Sequence, residues 1–166
     1  MALCVASAMS DFLQTYMHEA LELARQSAAE DEVPVGAVVI STATGEIIGR
    51  GRDRKMALND PTAHAEILAM REAAAHLGDW RLEGCTLVVT LEPCPMCAGA
   101  AIMSRIDAII YGADNPKFGA TGSLCNIPED ARWNHSLRLE KGLMAEECST
   151  VLKDYFRTKR RSSAGE

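Results

Sequence analysis

Segments of helical and of strand periodicity alternate along this chain, and that order limits its fold more than any other feature. Over residues 11–30, Phe12, Leu13, Tyr16, Met17, Ala20, Leu21 and Ala24 form one apolar stripe, which predicts a helix with Ser10 as its N-cap. The β-branched run at 33–40, a turn at 41–45 and an extended segment at 46–51 read as a hairpin. Asp60-Pro61 is a helix-start pair, with Asp as cap and Pro at the first helical position, and predicts a helix over about 62–77 that ends near Gly78. A third strand is expected at 85–91, a helix from Glu92-Pro93 to about Arg105, and a fourth strand at 107–111. A weaker strand at 136–140 and an amphipathic helix at 145–160 complete the pattern. Helical crossovers place neighbouring strands parallel, so the expected class is α/β, and the opening hairpin makes the five-stranded sheet mixed. Both Pro-started helices follow extended segments, which predicts that their N-termini lie side by side along one sheet edge, where open α/β sheets bind ligands.

The 166 residues, 48% of them hydrophobic, suffice for one core. We expect a single domain over 11–161, a disordered extension over 1–10 and a disordered tail over 162–166. No apolar run approaches the ~18 residues of a membrane span. The first ten residues carry no Lys or Arg and are too short for a signal peptide. Six cysteines (Cys4, Cys85, Cys94, Cys97, Cys125 and Cys148) without an export signal point to a cytoplasmic protein with reduced thiols. Only Cys94 and Cys97 are clustered; the other four read as ordinary buried or half-buried thiols. A net charge of −6 argues against a general nucleic-acid coat protein. Residues 153–161, however, gather Lys153, Arg157, Lys159, Arg160 and Arg161 against a single Asp154. Such a tail suits phosphates, and equally suits a solvated helix end.

The chemistry lies in His64-Ala65-Glu66 and Pro93-Cys94-Pro95-Met96-Cys97. Cysteines three apart on a helix share a face, and the positive helix N-terminus favours thiolate over thiol. Placed in the first turns of the two helices, Cys94, Cys97 and the His64 imidazole form a borderline-soft donor set that suits zinc. The competing reading is a closed structural site completed by Cys85, Cys125, Cys148 or His135. Three protein ligands with an open position are the catalytic pattern, and Glu66, two residues from a ligand, stands where a proton shuttle is needed. His-x-Glu followed by Pro-Cys-x-x-Cys is a known signature of zinc deaminases acting on bases.

Three longer stretches carry a family resemblance: 32–38 (EVPVGAV), 60–66 (DPTAHAE) and 90–100 (TLEPCPMCAGA). Together with Ser104-Arg105-Ile106, the segments at 112–117 and 122–124, Asn134-His135 and the tail at 146–157, they resemble bacterial tRNA-specific adenosine deaminases over nearly all of 11–161. The resemblance implies a three-layer cytidine deaminase-like fold and one zinc ion per subunit. It implies conversion of adenosine to inosine at the wobble position of a tRNA anticodon loop by a homodimer whose active sites lie near the subunit interface. It places the anticodon stem-loop against Asp53, Asn115, Lys117, Asn134, His135, Tyr155, Phe156, Arg157 and Arg160. Adjacent Tyr155 and Phe156 diverge by ~100° on a helix, so at most one is expected to be fully buried. The alternative is a deaminase of free guanine or cytosine compounds with the same zinc centre.

Two positions depart from the family pattern. Asp53 stands where an asparagine that touches the ribose is usual, and its negative charge is expected to weaken substrate binding, so that Asp53→Asn should lower KM. Asn115 replaces a common acid and is expected to ease approach of the nucleic-acid backbone and to relax discrimination between RNA and DNA.

Overall fold

Five strands form one sheet in the order β2-β1-β3-β4-β5 in the computed structural model, which describes residues 2–163, the side chains of 2–11 and 163 excepted. The strands are β1 (Gly36–Ser41), β2 (Ile47–Arg52), β3 (Cys85–Leu91), β4 (Ala108–Ala113) and β5 (Arg138–Lys141). β1 runs antiparallel to both β2 and β3, whereas β3, β4 and β5 are mutually parallel. The mixed five-stranded α/β fold expected from the sequence is therefore what the chain adopts.

The helices are α1 (Ala2–Ala29), α2 (Lys55–Leu58), α3 (Ala65–Leu77), α4 (Pro95–Met103) and α5 (Ala145–Ser163). Alternation along the buried strands divides them between the two faces. Val39, Leu87, Val89 and Ile109 pack with Ala69, Ala73 and Ala101 of α3 and α4. Val38, Val88 and Ile110 point the other way, onto Met17, Ala20, Leu21 and Cys148 of α1 and α5. The result is three layers. On β2, side chains at Gly49 and Gly51 would stand 2.2 and 2.0 Å from the carbonyl oxygens of Ala69 and Ala65, so the missing Cβ atoms let α3 lie directly on the strand.

Several boundaries differ from those predicted. α1 starts at Ala2, N-terminal of the Asp11 start predicted with Ser10 as cap; the side chains of 2–11, Met1 and residues 164–166 lie outside the described residues. α2 was not expected. α3 begins three residues after the predicted start, because the Asp60 carboxylate accepts the Thr62 N–H and O–H and folds 60–63 into a turn. That shift takes His64 out of the first helical turn, and the start of α4 at Pro95, later than Glu92-Pro93, does the same for Cys94. Both are extended N-cap residues, with ψ of 152° and 171°. Cys125 is exposed, contrary to expectation, while Cys85 and Cys148 are buried.

Topology decides where chemistry can sit. The chain leaves β2, β3 and β4 at one edge of the sheet, and these exits carry Asp53, Glu92 and Asp114. A cavity of about 860 Å³ opens at this edge. Among the described residues, no helix is long and apolar enough to cross a membrane.

Candidate metal centre

His64 caps α3 and Cys94 caps α4, and the two helix starts face each other across the cavity floor. The Cys94 and Cys97 sulfurs lie 3.7 Å apart, and His64 Nδ1 lies 3.7 Å from the first and 3.6 Å from the second. A tetrahedral zinc ion with ~2.3 Å bonds to sulfur and ~2.0 Å to nitrogen requires edges of ~3.8 Å between sulfurs and ~3.5 Å from sulfur to nitrogen. The donor triangle therefore fits zinc in size as well as in chemistry. Metal-free, the two thiols share protons unequally. Hydrogen bonds from Cys97 and His64 hold Cys94 down at about 4, while the same contact with Cys94 and burial push Cys97 far up. His64 is raised, first by its bond to Cys94.

The candidates for a fourth ligand are all elsewhere. His135 Nε2 meets the Ile106 carbonyl at 2.7 Å, and the Cys148 sulfur packs on Met17 Sδ at 3.6 Å on the opposite face of the sheet. The only described group of metal donors containing Cys is His64, Cys94 and Cys97, a three-ligand set with an open side.

Glu66 stands on that open side, in the first turn of α3, 4% exposed and lining the cavity. Burial lifts its carboxyl to about 7, with Asp53 and Cys94 adding like charge. A dication at the donor triangle draws it back toward the ordinary range. Buried on the open side of the donor triangle, Glu66 is placed to take and return a proton there.

Asp53 is 2% exposed and doubly held: Oδ1 accepts the Ala65 N–H at 3.0 Å and Oδ2 meets Lys55 Nζ at 2.6 Å. It thus satisfies an orphan donor at the start of α3, between His64 and Glu66. Lys55, which the sequence did not single out, lines the cavity beside it and offsets the charge that made Asp53 look unfavourable.

The segment after β4 forms the opposite wall. Asn115, Lys117 and Phe118 line the cavity, with Phe118 62% exposed at the rim. Asn115 Oδ1 accepts the Phe118 N–H at 3.2 Å, so its side chain shapes the loop it belongs to. Glu92, read in the sequence only as a helix start, lies buried behind this loop. Burial alone would raise its carboxyl, but hydrogen bonds from Ser123, Asn115 and Thr121 take it below the ordinary range.

The tail residues divide. Phe156 lines the cavity and is 44% exposed, whereas Tyr155 is half-buried and donates its hydroxyl to the Asp31 carbonyl at 2.9 Å. Arg157 pairs with Asp154 at 2.9 Å on the surface, and Arg160 is exposed on the same helix. Asn134 is exposed and half-buried His135 follows it; neither lines the cavity of its own chain.

Residues 10–113 match the family model of the cytidine and deoxycytidylate deaminase zinc-binding region. The tRNA-specific adenosine deaminase of Bacillus subtilis is 44% identical over 148 residues, 89% of this chain and 91% of that protein. The tRNA(Ile)-lysidine synthase of Deinococcus deserti is 49% identical over 155 residues; that match spans 93% of this chain but only 29% of the longer protein. Among solved structures, one from a study of A-to-I editing by tRNA:A34 deaminases superposes with a TM-score of 0.79 at 42% identity, covering 83% of this chain and 99% of that one.

Proposed function

Since the chain belongs to the cytidine and deoxycytidylate deaminase zinc-binding family, in common with tRNA-specific adenosine deaminases, we propose that it hydrolyses adenosine to inosine at the wobble position of a tRNA anticodon loop. The observation that carries this reading is the pairing of a three-ligand centre and a buried Glu66 with a cavity walled by Lys55, Lys117, Phe118 and Phe156. A free base needs the floor of such a cavity. The cationic and aromatic rim suits an unstacked nucleotide with its neighbours, at ~1–3 kcal/mol per stacked base.

His64, Cys94 and Cys97 would hold the zinc. When bound, zinc supplies Lewis-acid activation of water, drawing its pKa from 15.7 toward ~7. Glu66 accepts the proton released as water adds to C6 of the purine. It delivers that proton to ring nitrogen N1, then carries the hydroxyl proton of the tetrahedral C6 to the amine as the C6–N bond breaks and C6=O forms, so that adenosine and water give inosine and ammonia. Asp53 holds the start of α3, and thereby His64 and Glu66, in register through the Ala65 N–H. Asn115, Lys117 and Phe156 receive the flanking nucleotides, with Arg157 and Arg160 extending the basic surface along α5. Tyr155 fixes α5 to the Asp31 turn. Asn134 and His135 would reach the cavity of a second copy in a homodimer, a reading supported by exposed Met103, Leu124 and Trp133. We place the enzyme in the cytoplasm as one deaminase domain over 11–161, with 1–10 and 162–166 as extensions.

The expected result is ammonia release from an anticodon stem-loop and none from free guanine or cytidine at equal concentration. Turnover of the small substrates alone would instead support the nucleobase deaminase.

The Lys55–Asp53 pair yields a second expectation. Lys55→Ala bares the Asp53 carboxylate beside substrate phosphates and raises KM for the stem-loop roughly two- to five-fold, as expected for a coupling of about 0.5–1 kcal/mol. In an Asp53→Asn background the same change has a smaller effect. Steady-state kinetics on the four proteins of this cycle check it; equal effects in both backgrounds would contradict it.

A further inference from the structure

We propose that Glu92 is the positioning residue that sets the 114–124 loop, and with it the specificity for a polynucleotide substrate, against the metal centre. The inference rests on reading that loop as substrate-binding. Oε2 of Glu92 accepts the Asn115 N–H at 2.9 Å, and Oε1 accepts the N–H groups of Thr121 and Ser123 at 3.1 and 3.0 Å. The hydroxyls of Thr121 and Ser123 also bond to the carboxylate. Five donors from one loop thus converge on a side chain only 1% exposed.

The loop closes on the carboxylate so tightly that a Cβ on Gly119 would stand 2.2 Å from Oε2. Two main-chain bonds continue the connection: Glu92 N–H to the Ala113 carbonyl at 2.8 Å and Ala120 N–H to the Pro93 carbonyl at 2.8 Å. Glu92 lies two residues before Cys94, the N-cap of α4. A single short segment therefore carries a donor of the metal triangle and anchors the loop that presents Asn115, Lys117 and Phe118 to the cavity.

A buried carboxylate accepting several main-chain N–H groups is a strong organiser, because charge-assisted bonds hold the loop and the buried Thr121 N–H would otherwise lack a partner. Its effect falls on the loop and not on the metal. Glutamine keeps the size of Glu92 but turns an NH₂ group toward donors, so at least one N–H loses its acceptor.

The test uses the zinc-loaded full chain with Glu92→Gln and, separately, Gly119→Ala, which keeps the carboxylate and pushes the loop off it. Both variants are expected to retain wild-type zinc content and to speed amide hydrogen exchange at Asn115, Thr121 and Ser123. Both should raise KM for the anticodon stem-loop about 10-fold, the effect of losing about 1.4 kcal/mol of anchoring hydrogen bonds, with kcat falling less than KM rises. Exchange reads the loop without any turnover, so failure of the proposed activity leaves this result interpretable. Unchanged exchange at the three amides in both variants would overturn the proposal. So would a fall in kcat and zinc content with KM constant, which would assign Glu92 to the metal centre.

Discussion

Replacing Glu66 with glutamine lowers kcat by about 10²–10⁴-fold, the range that general acid–base catalysis contributes. The amide has the shape of the carboxyl and keeps zinc content and KM near those of the wild type, but it cannot carry the proton. The same change is expected to leave the melting temperature equal or higher. Glu66 is 4% exposed, and its burial, together with the nearby Asp53 and Cys94, disfavours the charged form, so the folded state bears a cost that glutamine removes. A rise in stability with loss of activity marks a side chain retained for chemistry. Single-turnover rates on zinc-loaded protein and thermal melts on metal-free protein check both halves. Wild-type kcat in Glu66→Gln would remove the residue from the reaction.

Loss of the donor triangle has an effect of similar size. Cys97→Ala is expected to bring zinc content close to zero at equimolar metal and to abolish turnover, since removing a ligand costs more than the ~10–100-fold typical of outer partners. In the wild type, chelation removes activity and added zinc restores it. The pH dependence has a definite sign. Zinc binds thiolates, and in the metal-free protein Cys97 holds its proton firmly through its contact with Cys94 and burial. Binding therefore expels a proton, and affinity falls as pH falls. Zinc titrations at several pH values check this, and affinity that strengthened toward acid would contradict it.

How much of the site the sequence revealed depended on how local each interaction is. Cys94 and Cys97 lie three apart, and Glu66 lies two from His64, so spacing on a helix start sufficed to group them. The meeting of the two helix starts followed from the strand–helix order, which the sheet bears out. The predicted start of α3 failed because Asp60-Pro61 serves a turn as well as it serves a cap, and the Thr62 contacts decide for the turn. Glu92 escaped notice for the opposite reason. Its partners are 23 to 31 residues away, and only the return of the chain after β4 brings them together. Lys55 is merely two residues from Asp53, yet nothing in its surroundings distinguished it from a solvated lysine. The Asp53 charge was legible in the sequence; its pairing with Lys55 is seen only in the fold. On α5, divergence of adjacent side chains allowed at most one of Tyr155 and Phe156 to be fully buried; neither is, Phe156 lining the cavity and Tyr155 bonding to the Asp31 carbonyl.

The most direct measurement is inosine formation in an anticodon stem-loop carrying one adenosine at the wobble position, against the same stem-loop with that adenosine moved to a neighbouring loop position. Zinc-loaded protein is expected to produce inosine at the wobble position and little at the other. Absence of inosine from both, with zinc bound at one ion per chain, would contradict the assignment and turn attention to smaller substrates of the same centre.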